Sequence, residues 1–307
     1  MGPQRPHTLL ELLSECAEAD GGILGEQREG LALLYRTRTS LYNQPPALVL
    51  DYARPGEVMP TLEPTDDDQR TRNDVTVTRE GGSSARAVRE DGPLSIQPLP
   101  AGVGLYDETI TLNLARDEQA EPLAAWRLHL GTTDELRYPT VTLNLVRAPH
   151  LIPAVLGLEA GDKLVIRNLP DWLPPGDAEL LVEGWREQLR PYGWTITLTC
   201  SPARPWTVGV TDDPSLGRAD TDGTELDDDA GAADTELVVR TTAGPPWVTD
   251  APEFPFDVRV GGEVVTVLGI TGSRPQTMTV RRATDGTSTP HPAGTDVRLA
   301  QPTVVAL

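Results

Sequence analysis

Apolar and polar positions alternate in short stretches along most of the chain, and one clear helical stripe stands ahead of them. Leu9, Leu12, Leu13 and Cys16 recur at helical spacing. Thr8 precedes the stripe with Glu11 three residues on, a capping box whose side chains satisfy donors left open in the first turn. Gly21-Gly22 stops the run. Two strand-like stretches follow, near 23–26 and 31–38, joined through Arg28-Glu29-Gly30. The predicted start is a helix leading into a hairpin.

From Leu48 to about Ser201 the period is mostly two. Val75 and Val77 share a face within 73–79, as do Ile110, Leu112 and Leu114 within 109–114, and Val141, Leu143 and Leu145 within 140–146. Residues 163–167 form a short apolar run after a Gly161-Asp162 turn. Stretches 180–185 and 194–200 read as a further pair, with Trp194, Ile196, Leu198 and Cys200 on one side. Two helices interrupt. One ends at Gly131 and accepts Pro122 only in its first turn; the other is short, around 151–156.

Between Asp212 and Asp234 large apolar side chains are few and acids dominate, which predicts a solvated linker extended by self-repulsion. Asp220-Thr221-Asp222-Gly223 hints at a calcium loop, but its glycine comes too early for the EF-hand spacing. Beyond Glu236 alternation resumes. Phe256-Asp257-Val258-Arg259-Val260 and Glu263-Val264-Val265-Thr266-Val267 flank Gly261-Gly262, a two-residue turn of the primed hairpin kind. Further strands at 277–281 and 296–299 suggest a small barrel or sandwich. The expected organisation is an α+β module over 1–206, an acidic linker over 207–234 and a small β domain over 235–307, with antiparallel β dominant throughout.

Composition narrows the function. Hydrophobic residues reach 38 %, so the cores are modest, and 28 Gly with 29 Pro favour short elements joined by turns. Net charge is −20, and Lys163 is the only lysine. A field of that sign repels phosphate backbones and anionic lipid, so neither nucleic acid nor a membrane surface is an expected partner. No run is long and apolar enough for a membrane span, and residues 1–7 lack a signal-peptide layout. Cys16 and Cys200 read as two partly buried thiols made in a reducing cytoplasm.

The chemistry-bearing residues assemble into no catalytic pattern. No phosphate-loop lysine, zinc-protease helix or nucleophile elbow occurs, and the four histidines (His7, His129, His150, His291) lack second ligands at metal spacing. His291, in Thr289-Pro290-His291-Pro292, reads as a buried imidazole bonding a loop carbonyl. Gly81-Gly82-Ser83-Ser84 reads as a hairpin tip, and Asp66-Asp67-Asp68 and Asp227-Asp228-Asp229 as solvated loops. Trp172, Trp185, Trp194 and Trp206 offer either a sugar-stacking platform or, for Trp185 and Trp194, sheet packing. Catalytic, cofactor-binding and metal-ligating residues are therefore all assigned as none.

One resemblance runs along nearly the whole chain. Glu15-Cys16-Ala17-Glu18-Ala19-Asp20-Gly21-Gly22-Ile23-Leu24, then Tyr35-Arg36-Thr37-Arg38, Asn73-Asp74-Val75-Thr76-Val77-Thr78-Arg79 and Gly161-Asp162-Lys163-Leu164-Val165-Ile166 follow one another in order. Pro255-Phe256-Asp257-Val258-Arg259-Val260-Gly261-Gly262-Glu263, Gln276-Thr277-Met278-Thr279-Val280-Arg281-Arg282 and His291-Pro292-Ala293-Gly294 complete the series. The series resembles minor tail proteins of long-tailed phages and prophages of high-GC actinobacteria, and arginine in place of lysine suits such a source. The helix, hairpin and split β region are similar to the later part of tail-hub proteins. The resemblance implies a structural, non-enzymatic part of the virion tail tip, made in the host cytoplasm. It implies other tail proteins and copies of itself as partners, in a trimer or other homo-oligomer. Hub proteins begin with a β-barrel that would lie upstream of Thr8, so a separate polypeptide or a truncated or divergent form is expected. The alternative reading is a carbohydrate-binding tail module that touches host cell-wall glycan. A wall-degrading hydrolase, the third, would need two carboxyl groups roughly 5–10 Å apart in a cleft.

Overall fold

In the computed structural model, residues 1–28, 30–65, 69–173, 176–220, 223–284, 286 and 288–305 are described. The Asp66-Asp67-Asp68 loop, Glu29 of the first hairpin turn, and Thr221 and Asp222 of the calcium-loop motif lie outside them. The fold is α+β and mostly antiparallel, in two compact units that meet in sequence at Thr207 and Val208.

The first unit opens with α1 (Leu9–Asp20). Thr8 and Glu11 form the expected capping box, and Gly21 ends the helix in the left-handed region at φ 73°. The antiparallel strands β1 (Ile23–Glu26) and β2 (Leu33–Arg36) follow. Next come β3 (Leu48–Asp51), β4 (Asp74–Arg79), β5 (Ser84–Val88), β6 (Asp107–Leu112), α2 (Ala120–Gly131) and β7 (Thr140–Asn144). The unit ends with α3 (Ile152–Leu156), β8 (Lys163–Arg167), β9 (Ala178–Arg190) and β10 (Gly193–Pro202).

Two sheets carry its cores. β5-β4-β6 places Val75, Val77 and Leu112 against Ala120 and Ala124 of α2, so the period-two face of β4 meets a helix. The larger sheet has the order β3-β8-β9-β10-β7 and buries Leu50, Leu143, Leu164, Ile166, Ile196 and Leu198. Two pairings are parallel, β3 with β8 and β4 with β6; each joins strands far apart in sequence, as parallel pairing requires. The Gly81-Gly82 tip lies between β4 and β5 as expected.

The second unit is a nearly closed six-stranded barrel. Its strands are β11 (Thr224–Leu226), β12 (Glu236–Thr241), β13 (Phe256–Val260), β14 (Glu263–Gly272), β15 (Gln276–Arg281) and β16 (Val297–Leu299). The order is β11-β12-β15-β14-β13-β16, and a Glu225–Asp296 bridge brings the ends together. Gly261 turns β13 into β14 with φ 57°, a positive angle at the first turn position that glycine takes without strain.

The acidic stretch differs from its reading as a solvated linker. It supplies β11, where Thr224 and Leu226 face inward and Glu225 outward, and Leu226 and Ala230 join the barrel core. Three residues suffice for one inward apolar contact, and the surrounding acids hide that alternation. Asp227 pairs with Arg240 at 3.2 Å, and Asp229 accepts from the Ala293 amide at 2.8 Å.

Candidate interaction site

The N-terminal elements expose much of their apolar surface. No residue of α1 is buried. Leu9 and Leu10 are 72 % and 59 % exposed, Leu31 fully so, and Leu33 52 %. Between α1 and the β1–β2 hairpin lies a groove of about 420 Å³, lined by Leu10, Ala17, Leu24 and Leu33 with Glu18 and Glu26. Both glutamates are exposed, and neither makes an ion pair among the described residues.

The hairpin is nevertheless firmly seated. Arg36 of β2 reaches Asp162 at 2.6 Å, and the Tyr35 hydroxyl donates to Asp20 at 2.6 Å. Arg28, in the turn, donates to the Val155 carbonyl at 2.7 Å and lies over the Trp185 ring at 4.5 Å. The apolar face is therefore presented by a rigid element, and loose packing does not explain it.

A second exposed feature is the β9–β10 hairpin tip. β8 pairs with β9 only as far as Leu181, so residues 184–190 are laddered to β10 alone. The two-residue turn Pro191-Tyr192 leaves Tyr192 96 % exposed, beside Leu189 at 70 %. Arg186 and Arg190 are exposed and, among the described residues, have no acidic partner.

Several titratable groups, by contrast, hold the fold together. A hollow of about 280 Å³ includes Asp51, Arg54, Glu57, His150 and Asn168. Buried Glu57 accepts from the Asp51 amide and pairs with His150 Nε2, each at 2.8 Å. Asp51 accepts from the Asn168 amide at 2.9 Å, which holds its carboxyl below the usual range. Both carboxylates thus brace the loop around Arg54.

Among the other histidines, His7 is exposed beside Glu11, and His129 Nε2 donates to the Pro205 carbonyl at 2.9 Å. Burial pushes the His129 imidazole below its ordinary value. His291 is buried as expected, but its Nε2 bonds the Glu263 carboxylate at 3.0 Å where a loop carbonyl was expected. The reason is register: β14 begins with Glu263, buried under the turn that carries His291, and sequence distance conceals this. Lys163 pairs with Glu179 at 2.8 Å on the sheet. Among the described residues no three His, Cys, Asp or Glu side chains are placed to hold a metal ion, and no helix is long and apolar enough to cross a membrane.

The four tryptophans do not form one platform. Trp185 and Trp194 pack against the large sheet's core, with Trp194 Nε1 donating to Glu187 at 2.6 Å. Trp206 sits edge-on to Trp126, 5.5 Å away, with Tyr42 nearby. Trp172 stands exposed. The groove and tip residues were not singled out by sequence reasoning. Their signal was present: Leu31-Ala32-Leu33-Leu34 puts leucine on both faces of β2, which a hairpin covered on one side only does not need.

No family model matches the chain, and no curated protein matches it. Among solved structures it is similar to the 43 kDa tail protein of prophage MuSo2 from Shewanella oneidensis. That match has 15% identity and a TM-score of 0.42, and covers 67% of this chain and 55% of that one. It is also similar to the tail protein from Neisseria meningitidis MC58, at 14% identity and TM-score 0.45, covering 67% of this chain and 58% of that one. The chain thus spans less than two thirds of the length of either tail protein.

Proposed function

We propose that the protein is a structural part of a phage tail tip, a minor tail or hub component that joins tail proteins and attaches host-recognition parts. The observation that carries this reading is the uncovered apolar surface of a well-seated element: α1 buries no residue, and Leu10 and Leu33 line an open groove. Large exposed apolar patches on an ordered unit mark surfaces that other proteins cover. The ordered series of tail-protein-like motifs supplies the kind of assembly. Glu57, Glu263, His129 and His291 are tied to backbone, arginine or one another, which suits a scaffold.

On this reading the chain sits in the virion tail, with other tail proteins and further copies of itself as neighbours. Immunogold electron microscopy of particles, using antibodies against this chain, tests it. Label at the tail tip supports the reading; particles without label, or label along the tube, overturn it.

A further inference from the structure

We infer that the β9–β10 hairpin tip of one copy docks in the α1/β1–β2 groove of a second copy. The inference deepens the assembly reading and rests on it for the presence of neighbours; the complementarity itself comes from this chain's surface alone.

The two features answer each other in shape and charge. The tip presents Leu189 and Tyr192, the groove Leu10, Leu24 and Leu33. The groove is open along its length, with a space of about 420 Å³ beside Leu10, Leu24 and Leu33. The tip carries Arg186 and Arg190, and the groove carries Glu18 and Glu26. Glu187, between the two arginines, is engaged by Trp194 Nε1 and Arg28, so the free charge of the tip is that of Arg186 and Arg190. Opposite charges around an apolar contact steer the encounter and fix its register.

The tip does not fill its own groove, since Tyr192 and Leu189 stand open to solvent in the same unit that holds the empty groove. The contact joins two different patches. It is therefore heterologous, and successive copies close into a ring or run on as a filament.

The test uses the full chain and two charge-reversed variants. One carries Glu18→Arg and Glu26→Arg; the other carries Arg186→Glu and Arg190→Glu. Sedimentation velocity at high micromolar concentration is expected to show self-association of the wild type. Each variant alone should associate at least about tenfold more weakly, with an unchanged circular dichroism spectrum. Mixing the two variants should restore assembly, now alternating and even-numbered, because each reversed tip meets a groove of opposite sign. A monomeric wild type overturns the contact, as does association that survives both reversals, or a mixture that stays dissociated. A self-associating chain that never labels a particle would overturn the tail reading and leave the contact standing; a labelled tip with a monomeric chain would do the reverse.

Discussion

Glu263 accepts two hydrogen bonds from the Arg282 guanidinium, both at 2.7 Å, with neither side chain appreciably exposed. Arg282 also donates to the Gly231 and Thr289 carbonyls, each at 2.7 Å, and the Thr289 amide donates to Glu263. One buried pair thus ties the start of β14 to the two loops beside it. Breaking such a pair leaves an uncompensated charge, at a cost of about 3–5 kcal/mol. Glu263→Gln should destabilise the second unit by that order in a denaturant titration, and removing both charges together should cost less than the two single changes summed.

The same cluster sets an acid limit. Burial alone would raise the Glu263 carboxyl, but the Arg282, Thr289 and His291 bonds together hold it at about 2 against an ordinary 4.5. Its stabilising contribution is complete above pH 4.5 and is lost as pH falls toward 2. Stability measured between those values should slope downward with acidification in the wild type. The slope should flatten in Glu263→Gln.

Glu135 behaves in the opposite sense. Burial pushes its carboxyl to about 7, and its buried Oε1 has no hydrogen-bond partner. A carboxyl raised in the folded state favours folding below 4.5, and that contribution disappears as pH rises through 7. Glu135→Gln should therefore raise the melting temperature at pH 8 by a few degrees and change little near pH 4.

Gly161 occupies φ 88°, where an added Cβ is strained, and that Cβ would meet Ile23 and Leu41 at 2.9 Å. Gly161→Ala should cost about 1–2 kcal/mol. The loss is readable as a lower denaturation midpoint, and it should loosen the seat that Asp162 gives Arg36.

The two thiols differ. Cys16 is half-buried, whereas burial pushes the Cys200 thiol up to about 12 inside the large sheet. Since the thiolate is the reacting form, a maleimide should modify Cys16 in the native protein and reach Cys200 only on unfolding. Mass spectrometry of the labelled chain checks the order.

Local chemistry was legible in the sequence and long-range partnership was not. The capping box of α1, the Gly261-Gly262 turn and the alternating faces of β4 and β7 depend on neighbours within a few residues. The parallel pairing of β3 with β8 joins Leu48 to Leu164, and no local pattern specifies that distance. β11 was hidden because a single inward leucine among acids carries almost no periodic signal. The Glu263–His291 bond spans 28 residues and was missed for a related reason, since sequence shows the imidazole's turn and conceals what lies beneath it. The groove was the hardest feature, as leucines that pack inside and leucines left open look alike until the fold is known.

The ring of strands in the second unit has a consequence for how it meets other molecules. Leu226 donates to the Thr295 carbonyl at 2.9 Å and accepts from the Gly294 amide at 2.8 Å, so the seam between first and last strands is itself stitched. Such a unit has little backbone to lend to a visiting strand, and recognition falls to side chains on its outer wall and loops. Outward-facing positions on the wall can change without disturbing the ladder that closes the ring.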